Sequence, residues 1–345
     1  MSPSQQVDAK RPPTMKDVAR RAAVSVQTVS RVVNDESGLA PATRARVLAA
    51  IRELGYRPHG IARSLRTGRT RTIALLVPHV SRPFFASVTS AVEQVVMERG
   101  YSLVVYSTRD DPDREAKYLE LIARNWVDGV LYVTTDYFNN LAILTEAGIA
   151  AVAIDRQPQG YQGPAVLFDN YRSGRLATEY LLNLGHRRIA LLESASPRIF
   201  AQQQLAGIRD CLRAANLELI HPDLSRDDRG APRGYRAAWA LLGQKPAPTA
   251  IIATDDWAAL GVLRYAIENG LQVPDDLSIL AMNEHEILPF TTPSLTAIVQ
   301  PIEEMVLRAF EILQELMAGQ SPTEPQVVLT PSLVCRESTG APRKR

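Results

Sequence analysis

The stretch VARRAAVSVQTVSRVVN, residues 18–34, contains two short amphipathic helices in immediate succession. Apolar residues recur at helical spacing on both sides of Val24-Ser25, and Ser25 is a typical N-terminal cap for the second helix. Two helices joined by so tight a connection predict a helix-turn-helix, whose second helix lies in the major groove of DNA.

The second helix of this motif carries side chains that suit base recognition. Four residues are predicted to face outward near its N-terminus: Val26, Gln27, Ser30 and Arg31. Arginine can donate two hydrogen bonds to guanine, glutamine can pair with a purine edge, and valine can contact the thymine methyl group. Ser25, Thr28 and Asn34 are predicted to bind backbone phosphates. The alternative is a plain three-helix bundle with a polar face.

The flanking residues complete a predicted three-helix domain over residues 14–58. Thr14-Met-Lys-Asp17 resembles a capping box for the first helix, Pro41 suits the first turn of the third, and Gly55 suits its end. On the third helix, four residues are predicted to face inward: Val47, Leu48, Ile51 and Leu54. Residues 1–13 are polar, carry three prolines and are predicted to be disordered.

Charge is distributed unevenly between this region and the remainder. Residues 1–70 hold 13 Lys/Arg and 5 Asp/Glu, whereas the whole chain has a net charge of only +2. The body after residue 70 is therefore acidic. A basic head on an acidic body predicts a polyanionic partner for the head, and the alternative is a solvated basic tail.

From residue 72 onward, short apolar runs alternate with amphipathic helical stretches. The predicted strands are Ile73–Val77, Ser102–Tyr106, Gly129–Val133, Ala150–Ile154, Ala165–Phe168, Ile189–Leu192, Ala250–Ala253, Leu277–Met282 and Thr296–Val299. Predicted helices between them include Phe84–Arg99, Arg114–Arg124, Tyr171–Leu184, Leu205–Ala215 and Ala258–Asn269. This alternation is typical of parallel βαβ units and predicts two doubly wound sheets, with a ligand crevice at the carboxyl ends of the strands.

Composition excludes several classes of protein. The chain has 345 residues, of which 46% are hydrophobic and 22% charged, as in globular proteins. Its two cysteines, Cys211 and Cys335, form no CxxC motif, which argues against a disulfide framework or a cysteine-rich zinc module. There is no secretory signal and no apolar stretch that approaches the length of a membrane span, so a cytoplasmic protein is expected.

Motifs of enzyme chemistry are missing from the sequence. It contains no GxGxxG, Walker A, GxSxG or HExxH motif. The triplet Glu284-His-Glu286 is the one metal hypothesis, but adjacent residues on an extended segment point to alternating sides. We therefore predict no enzyme activity, no cofactor and no metal.

Short motifs along nearly the whole chain resemble landmarks of the LacI/GalR family of bacterial transcriptional regulators. They include the run from Val24 to Asn34, Gly55-Tyr-Arg-Pro58, Ala62-Arg-Ser-Leu-Arg66, Pro78-His-Val-Ser-Arg-Pro-Phe-Phe85, Trp126-Val-Asp-Gly-Val130, Ile154-Asp-Arg156, Phe168-Asp-Asn170, Gly185-His-Arg-Arg-Ile-Ala190 and Pro293-Ser-Leu-Thr296. Their order and spacing over residues 14–338 carry the resemblance. It implies an all-α helix-turn-helix headpiece and a periplasmic-binding-protein-like α/β core.

The resemblance also implies a division of the chain. The expected segments are a tail (1–13), a helix-turn-helix domain (14–58), a hinge helix (59–70), an effector-binding and dimerisation core (71–338) and a second tail (339–345). Within the core, lobe 1 is expected over 71–168 and 298–327, and lobe 2 over 169–297 and 328–338. In the hinge, Leu65 matches the leucine that inserts into the minor groove, with Ala62 beside the DNA. His59 stands where asparagine is common in the family.

In the family, the cleft between the lobes binds a small molecule. By resemblance, the effector-binding residues are Phe84, Phe85, Asp155, Arg156, Arg198, Arg229, Asp255 and Asn283. Asn283 stands where sugar- and purine-binding members usually have aspartate, and Gln204 replaces an arginine frequent in sugar binders. An anionic effector such as a sugar acid or phosphorylated sugar would suit the loss of an acid beside several arginines. The alternative is a neutral sugar or base, with the arginines held in ion pairs.

Together these features predict a transcriptional regulator, a repressor rather than an activator, controlled by a small metabolite. It is expected to bind a palindromic double-stranded operator as a homodimer, away from any membrane. The rival hypothesis is a small-molecule binding protein or carbohydrate enzyme with a basic N-terminal appendage.

Overall fold

The computed structural model describes residues 13–33, 38–56, 69–124, 127–133, 138–157, 161–193, 199–222 and 230–343. The chain divides into two compact units, residues 1–70 and 71–345. Within the described ranges, no helix is long and apolar enough to cross a membrane.

The first unit contains the three expected helices. They are α1 (Met15–Ala22), α2 (Val26–Val33) and α3 (Pro41–Leu54). One fully buried valine from each helix, Val18, Val29 and Val47, forms the centre of a shared core. The capping box is present, because the backbone N–H of Thr14 donates to the Asp17 carboxylate at 2.9 Å.

One inward position on α3 is wrong in the sequence-based prediction. Leu48 is 43% exposed, and Ala50 lies in the core instead, 3% exposed. Successive residues on a helix are rotated by about 100°, so the residue after the buried Val47 lies toward its flank.

The second unit begins with a six-stranded parallel sheet. Its strands are β1 (Thr72–Val77), β2 (Ser102–Ser107), β3 (Gly129–Tyr132), β4 (Ala150–Asp155), β5 (Ala165–Phe168) and β10 (Gln326–Leu329), in the order β10-β5-β4-β3-β1-β2. The helices along this part of the chain are α4 (Pro83–Glu98), α5 (Pro112–Arg124), α6 (Ala142–Glu146) and, later, α11 (Ile302–Met317). Burial on both faces explains why β1, β3 and β4 are almost continuously apolar.

A five-stranded sheet forms the second lobe. Its strands are β6 (Ile189–Leu192), β7 (Ala250–Ala253), β8 (Ser278–Ala281), β9 (Thr296–Val299) and β11 (Ser332–Val334), in the order β11-β9-β8-β7-β6. Only β11 runs antiparallel among these strands. The helices along this part of the chain are α7 (Asn170–Asn183), α8 (Ile199–Ala214), α9 (Gly230–Leu242) and α10 (Asp256–Glu268).

The chain passes between the two sheets three times: after β5, after β9 and after β10. The expected lobe boundaries at 297 and 327 fall inside β9 and β10, so the second and third crossings each lie about two residues further along. Because parallel strands end at one edge of a sheet, the residues that follow them gather at the crevice between the sheets.

Candidate DNA-binding helix and effector cavity

The recognition helix α2 exposes part of the predicted base-reading set. Val26 is 41% exposed and Gln27 is also exposed, whereas Ser30 and Arg31 are half-buried. The hydroxyl of Ser25 accepts from the Thr28 backbone N–H at 3.1 Å and lies 2.9 Å from the Thr28 hydroxyl. Ser25 therefore caps α2 and shares a hydrogen bond with Thr28, which limits both hydroxyls as phosphate donors.

A cavity of about 370 Å³ lies at the crevice of the core. Its wall includes six of the predicted effector residues: Phe84, Phe85, Asp155, Arg156, Asp255 and Asn283. It also includes Arg82, Pro83, Asn170, Glu193, Phe200, Gln204, Gly230, Arg233, Thr254, Asp256, Trp257 and Gln300. Because strands of both sheets end at this wall, a molecule inside would contact both lobes.

The most buried ion pair of the wall joins Asp155 and Arg156. Arg156 Nε donates to Asp155 Oδ2 at 2.8 Å, and the two side chains are only 4% and 11% exposed. The guanidinium also lies over the ring of Phe200, 4.2 Å from its centroid. The carboxylate balances the charge of this guanidinium, and the aromatic ring helps to hold it in place.

Arg233, another residue of the cavity wall, is hydrogen-bonded to the protein backbone. Its side chain is buried, and its Nε donates to the backbone carbonyl of Glu193 at 3.2 Å. The Glu193 carboxylate lies 3.2 Å from His221 Nδ1. Glu193, directly after β6, therefore connects the cavity to a histidine on the outer surface of the second lobe.

Two adjacent carboxylates mark the start of α10. Asp255 accepts from the backbone N–H of Ala258 at 3.1 Å and so caps the helix. Burial, followed by the charge of Asp255, raises the pKa of Asp256. Across this corner, Asn283 Nδ2 donates to the carbonyl of Thr254 at 3.2 Å.

Gln204 and Asn170 form the buried amide pair of the wall. Gln204 Nε2 donates to Asn170 Oδ1 at 3.0 Å, and the two residues are 2% and 3% exposed. Helices α7 and α8 are in very close contact here, because a Cβ at Gly174 would lie 2.1 Å from the carbonyl oxygen of Gln204. The backbone contact holds Gln204 against the cavity.

Not every predicted site residue can be placed. Asn34, His59, Ala62, Leu65, Arg198 and Arg229 lie outside the described residues, as do residues 1–12 of the predicted tail, 57–58 of the helix-turn-helix domain and 59–68 of the hinge. The expectations that rest on them stay predictions.

The structure also adds wall residues that the sequence did not single out as effector contacts. Glu193, Thr254 and Gln300 directly follow strands, so the rule that ligands lie at strand ends could have found them. Phe200, on α8, and Arg233, on α9, carry no comparable signal, since only the packing of their helices brings them to the cavity.

The triplet Glu284-His-Glu286, which the sequence analysis considered and rejected as a metal site, contains an ion-paired carboxylate. Glu284 forms a two-point ion pair with Arg336, with N–O distances of 2.8 and 3.0 Å. Among the described residues, no group of three or more His, Cys, Asp or Glu side chains could hold a metal ion.

Comparison with known proteins gives two family matches. Residues 14–59 match the model "Bacterial regulatory proteins, lacI family", and residues 178–339 match "Periplasmic binding protein-like domain". The HTH-type transcriptional repressor PurR of Vibrio campbellii is 32% identical over 327 residues, covering 94% of this chain and 98% of the relative. The chain belongs to the LacI family. PurR of Erwinia tasmaniensis is 34% identical over 328 residues, covering 94% and 96%.

Solved structures of transcriptional regulators are similar to this chain over most of its length. The lac repressor dimer bound to operator and the anti-inducer ONPF has a TM-score of 0.86 and 28% identity, covering 96% of this chain and 100% of that one. The complex of the regulator CelR with cellobiose has a TM-score of 0.69 and 31% identity, covering 94% and 99%. This LacI-family member is a DNA-binding transcriptional repressor and not an enzyme.

Proposed function

We propose that this repressor binds a palindromic operator as a homodimer in the cytoplasm and changes its operator affinity when a small polar molecule occupies the cavity. The observation that carries the proposal is a cavity of about 370 Å³ with walls from both sheets. A ligand that contacts both lobes favours the lobe arrangement it binds better, and so shifts the population of that arrangement.

Two solved relatives support operator binding as a dimer and binding of a small molecule. The lac repressor neighbour is a dimer on its operator, and the CelR neighbour holds cellobiose. Dimeric helix-turn-helix proteins bind two half-sites about one helical turn apart, which gives the operator its palindromic form.

The wall of the cavity carries both positively and negatively charged side chains, which bear on the charge of the effector. An anion, the class expected from the sequence, is supported by Arg82, Arg156 and Arg233. The same wall also holds four carboxylates: Asp155, Glu193, Asp255 and Asp256. Net charge alone therefore does not select an anion.

A mobility-shift assay tests the proposal. The full chain is mixed with palindromic fragments from its own promoter region and with random DNA, each with and without a panel of sugars, sugar acids and nucleobases. We expect preference for one palindrome and a change of affinity with one class of compound. Equal binding to random DNA would instead favour the rival class, a ligand-binding protein with a basic appendage.

The exposed glutamine of α2 gives a sharper prediction. Gln27→Ala is expected to weaken operator binding by about 1–3 kcal/mol, because a base contact in the major groove is lost. Affinity for random DNA should change far less, since phosphate contacts remain. Gln203→Ala is the matched control, because Gln203 is exposed on α8 in the second unit of the chain. Fluorescence anisotropy measures both, and equal losses on the two DNAs would show that Gln27 contacts no base.

A further inference from the structure

The second compact unit begins at Arg71, whose backbone adopts a conformation that arginine rarely takes. Arg71 has φ +52°, in the left-handed region that favours glycine, and β1 starts at the next residue, Thr72. Such strain persists only where neighbouring groups hold the residue in place, and strained residues are concentrated at functional sites. The contacts that hold Arg71 therefore bear on how the repressor works.

Backbone and side-chain hydrogen bonds hold Arg71 between the first residues of neighbouring strands. Its backbone N–H donates to Asp128 Oδ2 at 3.0 Å, and its carbonyl accepts from the backbone N–H of Ser102 at 2.8 Å. The backbone N–H of Asp128 in turn donates to the Thr72 carbonyl at 2.8 Å. Asp128 therefore holds the chain at two successive residues, Arg71 and Thr72.

The position of Asp128 is fixed by the packing of the strand that follows it. Gly129, the first residue of β3, lies against α11, where an added Cβ would be 2.9 Å from Leu313 Cδ1. The next residue of the strand, Val130, is fully buried. Asp128 itself is half-buried, directly before this strand. A well-packed strand thus carries the carboxylate that holds the residue before β1.

The motif that contains Asp128 lies apart from the effector cavity. Trp126-Val-Asp-Gly-Val130 is one of the landmarks shared with the family, and its described residues, 127–130, are absent from the wall of the cavity. Ligands in such sheets lie at the carboxyl ends of the strands, whereas Arg71 and Asp128 precede theirs. The hydrogen bonds of Asp128 to Arg71 and Thr72, here called the Asp128 clamp, therefore lie at the edge of the sheet opposite the effector.

We infer that Asp128 is a positioning residue for operator binding, which fixes the direction in which the chain leaves the core at Arg71 toward the DNA-binding unit. The inference rests on the proposed binding of a palindromic operator by a homodimer. Such a dimer contacts two half-sites at once, so the spacing that it prefers depends on how both chains leave their cores. A direction that is fixed before DNA binds lowers the ordering cost of binding and disfavours other spacings.

Operator fragments with altered half-site spacing test this inference. The full chain is titrated, by fluorescence anisotropy, with the palindrome that it prefers in the mobility-shift assay and with versions one base pair longer and one base pair shorter between the half-sites. We expect the parent to bind the native spacing most tightly. Asp128→Ala removes the acceptor and should weaken this binding about tenfold, so that the three spacings become nearly equal in affinity. Asp128→Asn keeps an acceptor oxygen and should recover most of the affinity and of the preference.

Asp113→Ala is the matched control, because Asp113 is exposed on α5 of the same lobe and should change neither the affinity nor the spacing preference. Urea unfolding establishes that each variant is folded and measures any loss of stability. If Asp128→Ala loses stability but keeps the spacing preference of the parent, Asp128 only stabilises the lobe and the inference is overturned, while the proposed function stands. A parent without a preferred palindrome would refute the proposed function and this inference together.

Discussion

Gly174→Ala is expected to destabilise the core by about 3 kcal/mol, because overpacking against fixed backbone is among the most costly point changes. The added Cβ would lie 2.1 Å from the carbonyl oxygen of Gln204. A backbone oxygen cannot rotate away as a flexible side chain can, so α7 and α8 must separate. The gain in helix propensity from glycine to alanine, about 1 kcal/mol, acts in the opposite direction and is smaller.

Urea unfolding of the parent and the variant measures this loss. Gly270→Ala is the control, since Gly270 has φ +68° and nothing within 4 Å of its added Cβ. That variant carries only the conformational penalty of a left-handed residue, about 1–2 kcal/mol. If both variants lose the same stability, the tight crossing of α7 and α8 does not contribute as argued. Effector binding should also weaken in Gly174→Ala alone, because Gln204 is displaced.

Three strands of the core could be predicted closely because both of their faces are buried. Ala165–Phe168, Ile189–Leu192 and Ala250–Ala253 have the same bounds in the sequence analysis and in the structure. The last two strands were not predicted. Gln326–Leu329 and Ser332–Val334 alternate between exposed and half-buried residues, and such short segments resemble loops in the sequence.

The close contacts between crossing helices could not be predicted from the sequence pattern. Gly174 and Gly207 interrupt helical patterns, where glycine ordinarily lowers helix stability. Their role becomes clear only when each is seen against a carbonyl of the facing helix. The same contact recurs between α9 and α10, where a Cβ at Gly261 would lie 2.0 Å from the carbonyl oxygen of Ala231.

The residues that line the cavity could be predicted more closely than the contacts between them. Asp155 and Arg156 could be placed at the end of a cleft strand, but adjacent residues on an extended strand point to opposite sides. Their contact depends on the backbone of Asp155, which has φ +73° and turns the end of β4. A sequence pattern does not reveal that turn, so the sequence left open whether Arg156 binds an anionic effector or forms an ion pair with a carboxylate.

The second large effect concerns this ion pair. Asp155→Ala is expected to destabilise the core by about 3–5 kcal/mol, because removing one partner leaves a buried charge uncompensated. The Arg156 side chain is only 11% exposed, so water can replace little of the lost interaction. Alanine at φ +73° adds conformational strain, whereas asparagine tolerates that region. Asp155→Asn therefore separates the charge effect from the backbone effect.

Chemical denaturation of four variants measures these effects on stability. Glu120→Ala breaks an exposed pair with Arg124, whose side chains are 56% and 76% exposed, and should change stability by less than about 1 kcal/mol. Asp155→Asn should lose more than this control but less than Asp155→Ala. The double variant Asp155→Asn/Arg156→Met should recover part of the loss, since no charge is then left buried without its partner. A loss in Asp155→Asn no larger than that in Glu120→Ala, with no recovery in the double variant, would mean that water already screens the pair. Arg156 would then be available to bind an anion in the cavity.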